Sequence, residues 1–444
     1  MNSRVLMVCG EPVGGRMAGP GIRAVELGAA LARAGSEVTV AAPAADDGGP
    51  LPEGLRRVGL TNASLREELR RHDCVVVGGS LLSRLPSLVK ANIPLAVDLY
   101  TPVPLEAAAL FRDEPVSVGR ATLDEAAAAV RLEVTRADLI LCANDRQRDL
   151  WVGALLAAGR LSPELYEADP SLEGLVRVVP FGVSSGRPTA DGSLRARLAG
   201  AAEKDPVVLW AGGMHEWLDP EMVVVAAGRA VETLPGLRLA FMGSSAPNRA
   251  LKVHGVGARA RELAGSLGLL DRSVYFLDGW VPYAERGGYL ADCDLGVCAH
   301  SDTAETRYSW RTRLLDYLWA SLPVACTGGD ALGDLMGERG AASLVRFGDA
   351  DGLAAAMVEL LQPGVRRREA IAAAATMAEE FRWDRVAEPL VQWAQNPSRS
   401  HRGAVVRSPR TALWRMYWAK GWHVLRTEGM EGIRRRRSRF ADRD

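Results

Sequence analysis

Residues 207–213 read Val-Val-Leu-Trp-Ala-Gly-Gly, and a strand pattern already present at the start of the chain begins again here. This stretch is a short apolar run that ends in glycines, like residues 5–10 near the start of the chain, Val-Leu-Met-Val-Cys-Gly. Continuous rather than alternating hydrophobicity is typical of a strand that is covered on both faces in a parallel α/β sheet. The chain begins this pattern twice, which predicts two doubly wound α/β domains.

Further strand-like runs support both domains. In the first half, strands are predicted at 5–9, 38–42, 74–77, 95–99, 139–142 and 176–179. In the second half, strands are predicted at 207–210, 237–242, 274–277, 295–298 and 323–326. Helical stretches alternate with them, including 22–34 and 124–135. Two such Rossmann-like domains are expected to face each other across a cleft at the carboxyl ends of both sheets.

The domain boundaries are predicted from glycine, proline and charge. The glycine-containing segment 184–205 is the predicted linker, which gives an N-terminal domain over 1–185 and a C-terminal domain over 186–397. The last helix, about 365–395, is a candidate to cross back to the first domain. A basic aromatic tail, 398–444, follows it.

The composition excludes several classes of protein. Hydrophobic residues make up 48% of the 444 residues and charged residues 24%, which is typical of a folded globular chain. No apolar run approaches the roughly eighteen residues of a membrane span, and the first run is too short for a secretory signal, so we expect a cytoplasmic protein. The six cysteines form no close pair, which favours buried, reduced thiols over a zinc site or a disulfide framework.

The tail carries 13 Lys/Arg against four acidic residues. Trp414, Tyr417, Trp418, Gly421 and Leu425 share one face of a predicted helix, surrounded by basic residues. A basic amphipathic helix of this kind suits an anionic membrane surface, where the protein would be peripheral. A helix packed on its own domain is the alternative. Nothing else suggests a nucleic-acid module, so nucleic acid is not an expected partner.

Glycine-rich turns follow the first strand of each domain. The first contains Gly19 and Gly21 just before a helix, whose N-terminal N–H groups would face an anion. Its spacing is not that of a dinucleotide fingerprint, which argues against a nicotinamide cofactor, and a merely flexible turn is the alternative. The second turn is Gly212-Gly213, and His215 follows it at the carboxyl end of a strand.

The densest signal lies over residues 305–324, Glu-Thr-Arg-Tyr-Ser-Trp-Arg-Thr-Arg-Leu-Leu-Asp-Tyr-Leu-Trp-Ala-Ser-Leu-Pro-Val. Arg311 and Arg313 lie near the start of a predicted helix, where the helix dipole disfavours cations. A diphosphate would account for both, since the guanidinium group matches phosphate oxygens. Surface salt bridges are the alternative. Asp316, one turn further on, is placed to accept hydrogen bonds from ribose hydroxyls.

This stretch resembles the GT-B glycosyltransferases of family 4, and the resemblance covers roughly residues 4–395. In that family an E-x7-E element precedes a helix that ends in small-x-Pro-Val, and 315–324 is similar, with Asp316 in place of the second glutamate. The first glutamate position falls on Tyr308, and Gly212-Gly213-Met214-His215 replaces the usual Arg/Lys pair. We therefore expect Arg311 and Arg313 to contact the diphosphate, in a divergent, actinobacterial-like branch.

The resemblance also implies a set of site residues. The loop 278–282 resembles the nucleotide-base loop, and Gly328-Gly329-Asp330 lies where the family approaches the donor sugar. The predicted donor-binding residues are Gly19, Gly21, Gly212, Gly213, His215, Gly243, Trp280, Val281, His300, Tyr308, Arg311, Arg313, Asp316, Gly329 and Asp330. The predicted catalytic residues are Asp98, which would orient an acceptor hydroxyl, Arg311 and Arg313.

Three of these interpretations have structural alternatives. His300 is as compatible with a buried structural histidine as with a ligand contact. Asp219 is expected to cap the helix that begins near Pro220. Asp292-Cys293-Asp294 matches a metal motif of the other large glycosyltransferase fold, but here it is predicted to be a turn between a helix and a strand. The family requires no divalent ion, so neither a metal nor a cofactor is expected.

The function implied by the resemblance is a retaining glycosyltransferase of the hexosyltransferase type. It would move a sugar from a nucleoside diphosphate donor to a glycan or lipid-linked acceptor, in the synthesis of cell-envelope polysaccharide or a glycoconjugate. Two alternatives stay open: a nucleotide-sugar epimerase on the same fold, and a non-catalytic member that serves as a binding partner in a membrane assembly.

Overall fold

A computed structural model describes residues 3–15, 17–44, 49–111, 115–243 and 255–399, together with Trp418, Trp422, Leu425, Arg426 and Met430. The chain divides into two compact units. The first consists of Met1–Gly14, Pro20–Pro180 and the described residues from Ala387 on. The second consists of Gly15–Gly19 and Phe181–Val386.

A seven-stranded sheet forms the centre of the first unit, in the order β3-β2-β1-β4-β5-β6-β7 with every pair parallel. Its strands are β1 (Arg4–Val8), β2 (Glu37–Ala42), β3 (Leu55–Gly59), β4 (Cys74–Gly78), β5 (Leu95–Asp98), β6 (Leu139–Cys142) and β7 (Val176–Val178). Its helices are α1 (Gly19–Arg33), α2 (Asn62–Arg71), α3 (Pro86–Lys90), α4 (Val103–Leu110), α5 (Val116–Arg136), α6 (Asp145–Ala157) and α7 (Pro163–Ala168).

A six-stranded parallel sheet forms the centre of the second unit, in the order β10-β9-β8-β11-β12-β13. Its strands are β8 (Val207–Ala211), β9 (Arg238–Met242), β10 (Val274–Leu277), β11 (Leu295–Cys298), β12 (Val324–Thr327) and β13 (Ala342–Val345). Its helices are α8 (Pro220–Thr233), α9 (Val256–Ser266), α10 (Arg286–Ala291), α11 (Ala304–Tyr308), α12 (Thr312–Trp319), α13 (Ala331–Glu338), α14 (Ala350–Leu361), α15 (Val365–Glu380) and α16 (Trp383–Val386). The last helix, α17 (Glu388–Gln395), belongs to the first unit.

The predicted fold class, two doubly wound α/β domains, is confirmed, and every strand predicted from the sequence is present. Two strands were not predicted, β3 and β13, and both lie at the edge of a sheet. Their sequences, Leu-Arg-Arg-Val-Gly and Ala-Ser-Leu-Val, are only partly buried. Since an edge strand is covered less than a central one, its apolar run is weaker and harder to recognise.

The predicted linker, 184–205, is not a free connection, because the second unit already begins at Phe181. The N–H groups of Gly192 and Leu194 donate to the carboxylate of Asp292, at 3.0 and 2.9 Å. Arg195 forms an ion pair with Asp294 at 3.1 Å. Residues 184–205, called the strap below, are therefore held against the second unit by these contacts, and their glycines form its turns.

The single helix expected at about 365–395 is three helices, α15, α16 and α17. The break follows from an isolated bridge between Val183 and Arg382, in which Val183 donates to Phe381 O and Trp383 donates to Val183 O. A second break precedes Pro389, which lies in the first turn of α17, where a missing N–H costs nothing. Of these helices, α15 and α16 lie in the second unit and α17 in the first.

All six cysteines are buried and none forms a disulfide, as their apolar neighbourhoods predicted. Most of the tail lies outside the described residues, including Trp414, Tyr417 and Gly421. The described tail residues Trp418, Trp422 and Met430 are helical and largely exposed. Among the helices of the described ranges, none combines the length and apolar character that a membrane span requires.

Candidate functional site

The second sheet reverses its strand order between β8 and β11, since β9 lies on one side of β8 and β11 on the other. The β8–β11 ladder is short: Leu295 pairs with Val208 and Gly296 with Leu209. After these two pairs, the carboxyl ends of β8 and β11 are not paired with each other in the described sheet. Ligands of open α/β sheets bind in the crevice at such a switch point. It is therefore the first place to look for a site.

Tyr317 of α12 spans this gap between the two strands. Its hydroxyl accepts a hydrogen bond from Ala211 N–H at 2.9 Å and lies 2.7 Å from Leu209 O and 3.0 Å from Val297 O. The ring rests directly on Gly296, where a Cβ would clash with it. Because the side chain is fully buried, it fixes α12 beneath the switch point.

Glycine turns follow β8 and β9 at this edge, where Gly212, Gly213 and Gly243 have no side chains of their own to cover the backbone. Gly212 has φ +100° and Gly243 has φ +84°, values that side chains rarely allow. A Cβ on Gly243 would lie 3.2 Å from Gly212 Cα, so the two turns approach each other at backbone distance. At Gly213 a Cβ would approach His215 Nε2 to 3.1 Å. The predicted Gly212, Gly213 and Gly243 are thus brought together.

Arg313 is placed against the same turn. Its Nη2 donates to Gly213 O at 2.5 Å, and its Cζ lies 4.2 Å from the centre of the buried Trp210 ring. Its Nη1 is buried and has no hydrogen-bond partner among the described residues. Burial lowers the pKa of the Arg313 guanidinium, but an arginine keeps its charge in proteins. Among the described residues no carboxylate forms an ion pair with Arg313, and Asp316 raises its pKa through charge alone, without a hydrogen bond.

Arg311 has a different environment from Arg313. It forms a bidentate ion pair with Glu305, at 2.9 Å and 2.6 Å, and approaches the hydroxyl of Thr306 at 3.4 Å. The side chains of both partners of the pair are buried. Burial alone would lower the pKa of Arg311, but the charge of Glu305 raises it. Of the two predicted diphosphate ligands, Arg311 is thus already neutralised and holds α11 to the start of α12.

The N-terminus of α12 adds to the same site. Its N-cap position is Arg311, whose side chain makes no capping hydrogen bond. An uncapped N-terminus presents N–H groups and the positive end of the helix dipole. Arg313 is the second residue of this helix and reaches the Gly213 turn. Together, the turn, the guanidinium and the helix start form an arrangement that suits an anion.

His300 and Asp330 form a fully buried pair behind this edge. His300 Nε2 lies 3.1 Å from Asp330 Oδ2, and its Nδ1 lies 3.0 Å from Thr327 Oγ1, so both ring nitrogens are engaged. Asp330 also caps α13 by accepting from the N–H groups of Leu332 and Gly333. Of the alternatives for His300, the structure matches the buried structural histidine. Gly329, the residue before Asp330, has φ +110° and donates its N–H to Asp334 Oδ1 at 2.7 Å.

Four more of the predicted donor residues, His215, Trp280, Val281 and Tyr308, follow strands of the second sheet at its carboxyl edge. His215 stacks on Trp217, with ring centres 4.8 Å apart, in the loop after β8. Trp280 and Val281 follow β10 and are partly buried, and Tyr308 ends α11. Asp219 caps α8 by accepting from Met222 N–H at 2.9 Å, as predicted.

Asp316 lies in the middle of α12 and keeps 30% of its side chain exposed. Its Oδ1 accepts a hydrogen bond from Arg286 Nε at 3.1 Å. The predicted ribose ligand is therefore reachable, but one of its two oxygens already has a partner.

In the first unit, Asp98 ends β5 and is paired with Arg23 of α1. Arg23 Nε and Nη2 donate to the two carboxylate oxygens at 2.6 and 2.9 Å, and Arg23 also donates to the carbonyls of Val179 and Pro180. Both side chains are buried. Asp98 therefore ties α1 to the ends of β5 and β7, and an acceptor hydroxyl would have to approach a carboxylate that is already engaged.

Gly19 and Gly21 lie in the first turn of α1, which begins three residues earlier than predicted, so they are not in a turn before the helix. Gly21 belongs to the first unit, whereas Gly19 belongs to the second. Asp292 and Asp294, of the possible metal motif, both hold the strap instead. Asp292 accepts from Gly192 and Leu194, and Asp294 accepts from the N–H of Val207 at 2.9 Å and pairs with Arg195.

Sequence reasoning missed three residues that organise the site of the second unit, Glu305, Tyr317 and Arg286, and it missed Arg23, which holds Asp98 in the first unit. Arg23 gave a signal, because it is a single arginine within an otherwise apolar helical face. Glu305 gave none, because it is separated from Arg311 by the break between α11 and α12. Only the tertiary structure brings that pair together.

Comparison with known proteins agrees with this architecture. No family model matches the chain. The D-inositol 3-phosphate glycosyltransferase of Acidothermus cellulolyticus is 29% identical over 308 residues, which make up 68% of this chain. The match spans 61% of that relative's length.

Solved structures share the fold at lower identity. Sucrose-phosphate synthase from Thermosynechococcus elongatus superposes with a TM-score of 0.64 at 17% identity, covering 89% of this chain and 98% of that one. Anabaena HepE in complex with UDP-glucose gives 0.66 at 15% identity, covering 89% and 100%. WaaG, a glycosyltransferase involved in lipopolysaccharide biosynthesis, gives 0.60 at 15%, covering 88% and 100%. The two parallel-sheet α/β domains are those of the GT-B glycosyltransferase fold.

Proposed function

We propose that this chain is a glycosyltransferase that uses a nucleoside diphosphate sugar as donor. The donor's diphosphate would bind at the carboxyl edge of the second sheet, between the Gly212-Gly213 turn, Arg313 and the start of α12. The fold is that of GT-B glycosyltransferases, and the related Acidothermus protein is named a glycosyltransferase. HepE was solved with UDP and with UDP-glucose, which makes UDP the first nucleotide to test.

A single observation carries the proposal, namely the cation at this edge without a carboxylate partner. Arg313 has a buried nitrogen with no partner among the described residues, beside an uncapped helix start. Buried charges in proteins are normally paired or bound to a ligand, because desolvation disfavours the isolated charge. A diphosphate would supply the missing negative charge and the acceptor oxygens, and Arg is well suited to it.

The chemistry follows from this placement. When the bond from the sugar to the diphosphate breaks, negative charge develops on the leaving diphosphate. Arg313 and the N–H groups at the start of α12 are fixed in position by Gly213 and Tyr317 before the reaction begins. Donors that are already oriented toward developing charge lower the barrier, typically by about 3 kcal/mol for one such group. The site would thus act by stabilising the leaving group.

The finer parts of the proposal rest on the family resemblance. We infer a retaining reaction of the hexosyltransferase type, with no metal or cofactor, in which fixed cations and N–H groups stabilise the diphosphate. The acceptor would be a glycan or a lipid-linked sugar of a cell-envelope polysaccharide or glycoconjugate. We also propose that the strand ends of the first unit, near Asp98, face the acceptor.

The decisive experiment measures thermal unfolding of the whole chain with UDP, GDP, ADP, dTDP and CMP. A nucleotide at 100 times its Kd should add roughly 2.7 kcal/mol of stability, which gives a clear rise in Tm. The nucleotide that stabilises most then sets the sugar donors to be tested for transfer. No shift with any nucleotide would contradict the proposal. Turnover of donor without an acceptor would favour an epimerase, and binding without turnover would favour a non-catalytic partner.

We further propose that the tail places the enzyme on an anionic membrane surface. Trp418 and Trp422 are 59% and 48% exposed, and Arg426 lies 5.0 Å from the ring centre of Trp422. Aromatic residues beside cations suit the headgroup region, and each basic residue contributes about 1 kcal/mol near an anionic leaflet. The Trp418→Glu/Trp422→Glu variant should lose binding to vesicles containing phosphatidylglycerol. Undiminished sedimentation with those vesicles would contradict the membrane role.

A further inference from the structure

Arg286, at the start of α10, has no role in the function proposed above, yet its side chain makes several close contacts. Its Cζ lies 3.6 Å from the ring centre of Tyr283 and 4.4 Å from that of Trp319. Its Nη1 donates to Tyr283 O at 2.8 Å, and its Nε donates to Asp316 at 3.1 Å. The guanidinium thus has two aromatic rings, a carbonyl and a carboxylate as neighbours.

The surroundings of Arg286 fix it before any ligand binds. Its side chain is only 11% exposed. Trp319, one of the two rings, is itself held by a hydrogen bond from its Nε1 to Gly186 O at 2.5 Å, within the strap. Pro188 of the strap packs against Gly287, the next residue of α10. A planar guanidinium against two aromatic rings, one of them held by the strap, has little freedom to move, so it sets the direction of the carboxylate that it contacts.

From this geometry we infer that Arg286 is a positioning residue for Asp316 and sets the preference of the site for ribose over 2′-deoxyribose. This inference rests on the proposed function. Arg286 occupies Oδ1 of Asp316 and leaves Oδ2 as the acceptor for one hydroxyl. An aspartate has few side-chain torsions, so an ion pair on one oxygen limits where the other can point. The diol of a ribonucleotide would then meet a carboxylate in a fixed orientation.

Arg286 also explains how an aspartate serves at this position. Asp316 is one methylene shorter than the glutamate of the family, so its carboxylate reaches less far from α12. A free aspartate on a helix samples several rotamers, and holding one of them reduces the entropy lost when the ribose binds. Arg286 would supply that restraint without touching the nucleotide.

The test compares ribonucleotides with their 2′-deoxy forms in the wild type and in Arg286→Met. Methionine keeps an unbranched apolar side chain between the rings and removes the contact to Asp316. Kd is measured by calorimetry for UDP, GDP and ADP, each beside its 2′-deoxy analogue. The wild type should prefer the ribo form of its nucleotide by about 10-fold or more, since a hydrogen bond to a charged group is being lost. Arg286→Met should reduce this preference to about threefold or less.

Controls separate positioning from a structural effect. A residue that only stabilises the fold would weaken the ribo and deoxy forms equally, so the ratio of the two Kd values would not change. Arg286→Lys, which keeps the charge but not the planar group, covers the case in which the methionine variant does not fold. Arg229→Met removes a matched but exposed arginine–aspartate pair, with Asp351, and should leave the ratio unchanged.

The outcomes also separate this inference from the proposed function. If the wild type binds no nucleoside diphosphate, the proposed function fails. If the wild type binds a ribonucleotide selectively and Arg286→Met and Arg286→Lys keep or increase that selectivity, only the positioning role of Arg286 is overturned. Equal binding of ribo and deoxy forms by the wild type would overturn it as well.

Discussion

The two arginines at the start of α12 should respond in opposite ways to the same substitution. Arg311→Met removes one partner of a buried bidentate ion pair and leaves Glu305 without its counter-charge. Removing one partner of a buried ion pair typically costs about 3–5 kcal/mol, so Arg311→Met should lower the free energy of unfolding by at least about 3 kcal/mol. Arg313→Met removes one hydrogen bond to Gly213 O and a guanidinium whose Nη1 has no partner, while the methionine still packs on Trp210. Its cost to stability should be about 1 kcal/mol.

For nucleotide binding, Arg313→Met should have the larger effect and Arg311→Met the smaller one. Loss of a charge-assisted contact from Arg313 to the diphosphate should weaken binding about 10-fold or more. At 100 times the wild-type Kd, the stabilisation by nucleotide should then fall from about 2.7 to about 1.4 kcal/mol. The folded fraction of Arg311→Met should keep most of the stabilisation by nucleotide. In the wild type the guanidinium of Arg311 is already engaged by Glu305, so its loss removes no contact to the diphosphate.

The assay is chemical unfolding of each variant, with and without the nucleotide that stabilises the wild type. Arg229→Met is the matched control and should change stability by no more than about 1 kcal/mol, since its pair is exposed. The double variant Glu305→Leu/Arg311→Met should recover most of the stability, because replacing both members of a buried pair removes the unpaired charge. The reasoning is refuted if Arg311→Met is as stable as the wild type and loses nucleotide binding while Arg313→Met keeps it.

Three further substitutions test single contacts. Asp98→Asn should lower the unfolding free energy by about 3 kcal/mol without any ligand, since it weakens the buried pair with Arg23; full stability with lost transfer would instead support the acceptor role. Tyr317→Phe should cost about 1–3 kcal/mol because it leaves buried backbone groups of two strands without a partner, and an unchanged denaturation midpoint would contradict this bridge. Burial alone would raise the pKa of Asp330, but the hydrogen bond from His300 lowers it below its usual range. Such a carboxylate stabilises only while it is ionised, so the penalty of Asp330→Asn should be present above about pH 5 and shrink as the pH falls below about 4. A penalty that is constant from pH 7 to pH 3.5 would contradict that assignment.

Much of the fold could be predicted because a central parallel strand has a strong sequence signal. Strands such as β8, Val-Val-Leu-Trp-Ala, are buried throughout and read as continuous apolar runs. Edge strands such as β3 carry charged residues, here an exposed Arg56 and a partly buried Arg57, and lack that signal. The contacts of the strap at 184–205 were not predictable for another reason: its glycines serve turns, and Asp292, which it contacts, lies about a hundred residues further along the chain.

The candidate site could be predicted as a region but not residue by residue. The sequence places its glycines after strands, and parallel strands bring their carboxyl ends to one edge. It does not show which of two neighbouring arginines is neutralised, because that depends on where Glu305 lies after the chain turns between α11 and α12. A fully buried histidine such as His300 is likewise indistinguishable from an exposed one until its partners are known.

Comparing the two units gives a physical reason for placing the donor on the second. In the first unit, Arg23 reaches the carboxyl ends of the strands and meets Asp98 there, so its charge is neutralised within the unit. In the second unit, the contacts of Arg313 with other described residues are to a carbonyl oxygen and an aromatic ring, and Asp316 acts on it without forming an ion pair. An anion gains more free energy from a desolvated, uncompensated cation than from one that already has a carboxylate. We therefore propose that the anionic diphosphate leaving group binds to the second unit and the neutral hydroxyls of an acceptor to the first.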